Sequence, residues 1–144
     1  MNVVDNQCTD VFEEIKMNEK HRYAVFCFKD EQRIEVETVG DRAATYDHFL
    51  TDMKVEEGEC RYGLYDMEYE HQCSGVEDVG KKQKLFLMSS CPDTASTPEK
   101  TLYAFRFDTL KKSFMGVQKY VQATNEEEAS LKSVMEKLRS TDIE

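Results

Sequence analysis

The 144-residue chain is predicted to fold as an α/β (α+β) protein, a mixed five-stranded sheet with helices on both faces. Three observations predict this. Helix-period and strand-like segments alternate along the chain, and strands interleaved with helices make a mixed sheet covered on both sides. Tyr23-Ala24-Val25-Phe26-Cys27-Phe28 is apolar on both sides, as an inner strand covered on two faces must be. Repeats, low-complexity tracts and linkers are absent, and the two prolines (Pro92 and Pro98) fall in one short stretch. One continuous domain over residues 1–144 is therefore expected.

Taken in order, Cys8, Val11, Phe12 and Ile15 recur at i, i+3, i+4, i+7 and predict a first amphipathic helix. Arg22–Lys29 and Arg33–Thr38, separated by Asp30-Glu31-Gln32, read as a β-hairpin. Tyr46, Phe49, Leu50 and Met53 repeat the helical spacing. Arg61–Met67 and Lys84–Ser89 read as two further strands. A helix from about Pro98 to Met115 follows, with proline acceptable in the first turn, and Val117–Val121 is the fifth strand. Leu131, Val134, Met135 and Leu138 predict a last helix. Thr124-Asn125-Glu126-Glu127-Glu128 introduces it with a capping side chain and acids near its positive end.

The 98–115 helix carries two kinds of face. At 100° per residue, Tyr103, Phe107, Leu110 and Phe114 fall together and are expected to pack on the sheet. Lys100, Ala104, Lys111 and Met115 line up beside them, with Lys112 further round. A basic stripe ending in an apolar residue fits a surface that a partner covers, and equally a solvated face over which lysine stems lie.

Charge narrows the partner. The net charge is −10. Residues 1–80 hold 8 basic and 20 acidic side chains, residues 81–119 hold 8 and 3, and residues 120–144 hold 3 and 6. A single basic segment in an acidic molecule disfavours nucleic acid, because the remainder would repel phosphate. It suits a lysine-rich solvated face, which composition alone favours, or else contact with an acidic protein surface or an anionic lipid headgroup. No apolar run approaches the roughly 20 residues of a membrane span, and Met1-Asn2-Val3-Val4-Asp5 lacks the basic and apolar start of a secretory signal, so an intracellular protein is expected.

Catalytic chemistry finds little support. Cys8, Cys27, Cys60, Cys73 and Cys91 are scattered, form no CxxC pair and read as reduced, mostly buried thiols. His71-Gln72-Cys73 supplies two potential zinc ligands but no second pair stands at ligand spacing. The six glycines form neither a phosphate-binding loop nor a dinucleotide fingerprint. Glu56-Glu57-Gly58-Glu59 and Glu126-Glu127-Glu128 read as solvated charges. No cofactor and no metal are expected.

Longer motifs are more specific. They run Lys82-Gln83-Lys84-Leu85-Phe86-Leu87-Met88-Ser89, Cys91-Pro92-Asp93-Thr94-Ala95, Leu102-Tyr103, Phe107-Asp108-Thr109-Leu110-Lys111-Lys112-Ser113 and Gly116-Val117-Gln118-Lys119-Tyr120-Val121-Gln122-Ala123-Thr124. Together with His21-Arg22-Tyr23 and Cys60-Arg61-Tyr62-Gly63-Leu64-Tyr65-Asp66, they resemble the actin-depolymerising factor/cofilin family in order and spacing, from about Val4 to Asp142. The likeness is greatest to short, insect-type members. It implies a single ADF-homology (cofilin-like) domain that binds monomeric and filamentous actin, severs filaments and promotes subunit loss.

Carried over by motif, Lys100, Lys111, Lys112 and Met115 are expected to contact both actin forms, and Lys82, Lys84, Glu136 and Lys137 the filament alone. The resemblance also implies phosphoinositide binding at Lys111 and Lys112, in competition with actin. It implies a monomer of the cytoplasm and cytoskeleton, and also of the nucleus. Departures bear on this. Pro98 and Glu99 stand where the family carries a basic residue followed by a small or basic one, which favours an alternative, a coactosin-like relative that binds or sequesters actin with weak severing. A thiol or metal enzyme is the more remote alternative. Ser90 stands at a family tryptophan, with Phe105 and Phe114 as candidate compensations. The N-terminal serine that LIM-type kinases phosphorylate has no counterpart here. The first hydroxyl is Thr9, inside the predicted first helix, so escape from that control is expected.

Overall fold

In the computed structural model, residues 3–72 and 79–140 are described, with backbone alone at 71, 72 and 79. Helix α1 (Asn6–Lys16) buries Cys8, Val11, Phe12 and Ile15, the stripe that its period demands. Strands β1 (His21–Lys29) and β2 (Arg33–Asp41) pair antiparallel around Asp30 and Glu31, both at positive φ. Helix α2 (Tyr46–Asp52) begins at Thr45, whose Oγ1 accepts the His48 N–H while His48 Nδ1 accepts the Thr45 N–H. Strands β3 (Arg61–Gln72) and β4 (Val79–Ser90) form an antiparallel ladder. Helix α3 (Thr97–Ser113) crosses over to β5 (Lys119–Ala123), which runs parallel to β4, as a helical crossover allows. The short α4 (Glu126–Ala129) and α5 (Leu131–Arg139) follow.

The five strands make one mixed sheet in the order β2-β1-β3-β4-β5. Along the outer side of β2, Val4 forms a parallel bridge to Ile34, so the chain's own start covers part of that edge. The α1 and α3 stripes, including Tyr103, Phe107, Leu110 and Phe114, share one core with Phe26, Tyr62, Leu64, Leu85 and Leu87. On the opposite face, α2, α4 and α5 pack with Val25, Tyr65, Phe86 and Met88. Gly63 sets how closely α2 lies on the sheet, since an added Cβ would come within 2.6 Å of the Met53 sulfur and the Phe49 ring.

The structure departs from expectation at several places, β2 running on to Asp41 and β5 starting at Lys119 among them. The β3–β4 ladder runs beyond Met67 and starts before Lys84, with Glu70 directly opposite Lys81. Tyr69 is buried there but stands among polar residues, so apolar patterning does not reveal that part of the ladder. The last helix is two helices: Asn125 caps α4, while extended Ser130 (ψ 157°) breaks the chain and caps α5 by accepting the Ser133 N–H. The acids at 126–128 thus belong to α4. Helix α3 stops at Ser113, because Phe114 leaves helical geometry and Gly116 takes φ +97°, so Met115 lies in the turn beyond the helix. Last, neither proposed compensation for the missing tryptophan holds. Phe105 is 71% exposed, and Phe114 fills the α1/α3 core, whereas strand alternation puts Ser90 on the face of Phe86 and Met88. Ser90 is itself buried, with no partner for its hydroxyl.

Candidate functional site

Helix α3 opens with Ser96, whose Oγ accepts the Glu99 N–H at 3.3 Å, and Pro98 occupies the first turn. Proline there loses no helical hydrogen bond, and Glu99 adds an acid at the positive end. The two residues that break the basic pattern are therefore good helix-starting chemistry. Next along, the half-buried Lys100 donates to the Asp93 carbonyl at 3.3 Å.

Three turns on, Lys111 is held by rings rather than free in solvent. Its ammonium stands 4.5 Å from the Phe107 ring centroid and 4.8 Å from that of Tyr120, with Asp108 at 3.6 Å. The side chain is 29% exposed. Lys112, by contrast, is exposed. Met115, 73% exposed, ends the stripe, and its carbonyl accepts Lys16 Nζ of α1 at 2.9 Å. That contact needs the neighbouring Gly116, where any Cβ would lie 2.2 Å from Lys16 Nζ. The four residues expected on this surface are thus gathered by one helix and the turn that ends it.

Phe105 is a further member that motif reasoning assigned to the interior. It lies seven residues before Lys112, hence on the same line of the helix, with the Arg106 guanidinium 5.1 Å from its ring. Its 200° displacement from Tyr103 was the available signal.

The second expected set gathers on the opposite face. Lys82 and Lys84 share the side of β4 that carries Phe86 and Met88, which α5 covers. Lys84 donates to the Leu138 carbonyl at 2.7 Å, satisfying the open C-terminal end of α5. Lys84 and Arg139 both lie against the Tyr69 ring, at 6.0 and 5.4 Å. Glu136 is exposed on α5 and Lys137 half-buried. The sheet separates this set from the α3 stripe.

One polar cluster was not foreseen. The buried Asp66 carboxylate accepts from Arg42 Nη1 at 2.8 Å and from Gln83 Nε2 at 2.7 Å. Arg22 pairs with Glu68 at 2.8 Å, and that hydrogen bond holds the Glu68 carboxyl below its ordinary range. The cluster binds β1, β3 and β4 to the turn that follows β2, and its charges satisfy one another. Cys73 and the His71 side chain lie outside the described residues. Among the described residues no group of three His, Cys, Asp or Glu is placed to hold a metal, and no helix is long and apolar enough to cross a membrane.

Known proteins resemble this chain over nearly its whole length. Residues 1–139 match the family model described as cofilin/tropomyosin-type actin-binding protein. A cofilin of Mycosarcoma maydis is 33% identical over 139 residues, covering 96% of this chain and 95% of that protein. Actophorin of Acanthamoeba castellanii is 34% identical, covering 94% of each. The crystal structure of a cofilin assigned to Streptomyces griseoflavus superposes with a TM-score of 0.81 at 32% identity, covering 93% of this chain and 94% of that one.

Proposed function

Because the chain belongs to the cofilin/tropomyosin-type actin-binding family, we propose that it binds monomeric and filamentous actin and promotes filament severing and depolymerisation. The observation that carries this is the basic and apolar surface that α3 and the turn after it gather together, Lys100, Lys111, Lys112 and Met115. These residues contact both actin forms. Lys82, Lys84, Glu136 and Lys137, on the other side of the sheet, contact the filament alone.

The mechanism is linkage. A protein that prefers one filament geometry shifts the filament toward it by its differential affinity, and strain collects where decorated filament meets bare. The role is binding rather than catalysis. An anionic phosphoinositide headgroup competes for Lys111 and Lys112, and the protein acts as a monomer in the cytoplasm, at the cytoskeleton and in the nucleus.

Pro98 and Glu99 support a second reading, an actin-binding or sequestering relative with weak severing, since a cation is missing beside Lys100. Co-sedimentation with filaments, paired with microscopy of tethered filaments, decides between them. Binding with concentration-dependent severing is the expected result. Binding without severing selects the second reading, and no binding to filaments, nor to monomers in a fluorescence titration, overturns both.

A further inference from the structure

Cys60 immediately precedes Arg61, and Cys91 immediately follows Ser90, the last partners of the β3–β4 ladder. The two cysteines therefore stand opposite one another, one step beyond the ladder's end. Both turn to the same side: Cys60 is buried in the α1/α3 core, and the partly exposed Cys91 packs against it. Directly opposed residues of antiparallel strands have Cα atoms about 4.5–5.5 Å apart, within the roughly 4.4–6.8 Å that a disulfide spans. The two thiols are close enough to shift one another's ionisation, and Ser89 Oγ lies 3.9 Å from Cys91 Sγ. The neighbouring thiols are placed otherwise. Cys8 donates to the Ile34 carbonyl at 3.4 Å, and strand alternation puts Cys27 on the opposite side of the sheet from Phe26 and Phe28.

We propose that Cys60 and Cys91 form a reversible dithiol–disulfide site whose oxidant is a hydroperoxide. The environments of the pair divide the work. The adjacent Cys60 thiol, and then Ser89, lower the Cys91 thiol below its ordinary value, while the adjacent Cys91 thiol and burial push Cys60 up. The accessible Cys91 is the attacking sulfur. Its thiolate takes the terminal peroxide oxygen, the O–O bond breaks, and the departing oxygen leaves as alcohol or water with the proton from Cys91. Cys91 is then a sulfenic acid. The Cys60 sulfur attacks the Cys91 sulfur, the S–O bond breaks, and water departs with the Cys60 proton. Two thiols have lost two electrons, and the peroxide has gained them. Exchange with a thiol reductant restores both.

The test treats the full-length protein with near-stoichiometric hydrogen peroxide and maps the products by mass spectrometry. The expected product is two hydrogens lighter, carries the Cys60–Cys91 cross-link and reverts with dithiothreitol. Cys60→Ser should halt the reaction at a sulfenic acid on Cys91 that dimedone traps, Cys91→Ser should abolish both species, and Cys27→Ser should leave the cross-link intact. Should the wild-type chain form no disulfide, join another pair of cysteines, or carry over-oxidised Cys91 without a cross-link, the proposal is overturned. That mapping needs no variant, so a misfolded substitution cannot obscure it.

Discussion

Separate charge reversals at Lys111 and Lys112 split the α3 surface into a part that also supports the fold and a part that does not. Lys111 faces two rings, at 4.5 and 4.8 Å, each contact contributing about 0.5–1 kcal/mol. Its i,i+3 pair with Asp108 adds about 0.3 kcal/mol. Lys111→Glu therefore loses about 1.3–2.3 kcal/mol, more once the new acid meets Asp108, and at roughly 2–4 °C per kcal/mol the melting midpoint should fall by about 3–9 °C. Lys112 is exposed, so Lys112→Glu should shift stability by no more than about 0.5 kcal/mol. Opposite an acidic actin residue, a charge pair is worth about 1 kcal/mol or more. Turning attraction into repulsion then costs about 2 kcal/mol, roughly 30-fold in affinity for both actin forms. Thermal melts by circular dichroism, co-sedimentation with filaments and a fluorescence titration of monomers give the three readouts. Wild-type affinity in Lys112→Glu, or a wild-type melt in Lys111→Glu, would refute the reasoning.

Lys84→Ala should open the C-terminal turn of α5, seen as faster hydrogen exchange at its last amides. Together with Lys82→Ala it should weaken filament binding more than monomer binding; equal losses would contradict the assignment. Ser90→Ala removes a buried hydroxyl without a partner and should raise the melting midpoint, as the unmet hydrogen bond costs about 1 kcal/mol or more. Acid should destabilise in a defined window. Hydrogen bonds from His21, Arg22 and Thr124 hold Glu14, Glu68 and Glu128, respectively, below the ordinary carboxylate value. Their contribution is thus present above that value and lost as pH falls below it; melts from about pH 6 to 3 should show this, with a shallower fall in Glu68→Gln. Thr9, whose hydroxyl donates to the Asn6 carbonyl within α1, should take up no phosphate from a LIM-type kinase, as a radiolabel assay would show.

What could be read in the chain was whatever one local pattern decides. The stripes Cys8–Ile15 and Tyr103–Phe114 announce their burial because each helix presents one side to the sheet. Lys111 announces only a charge; its second ring, Tyr120, comes from β5 and is brought beside it by the crossover. Lys84 likewise reads as a surface cation until α5 delivers the Leu138 carbonyl to it. The opposition of Cys60 and Cys91 depends on the register of a long ladder, which no count of cysteines contains. Ser130 looks like any polar helix residue, and only its extended backbone separates α4 from α5.

A five-stranded sheet with close-packed aromatic cores on both sides has very little give. Helix α3 lies on one side of that slab, and Lys82, Lys84 and α5 on the other. When two surfaces fixed on one stiff body are engaged at once, any misfit must be absorbed by the more compliant partner. A filament is a stack of subunits joined by non-covalent contacts, so it is the filament that yields. Gripped from two sides, this chain would act less as a wedge than as a rigid template, imposing its own thickness on the spacing and rotation of the subunits it joins.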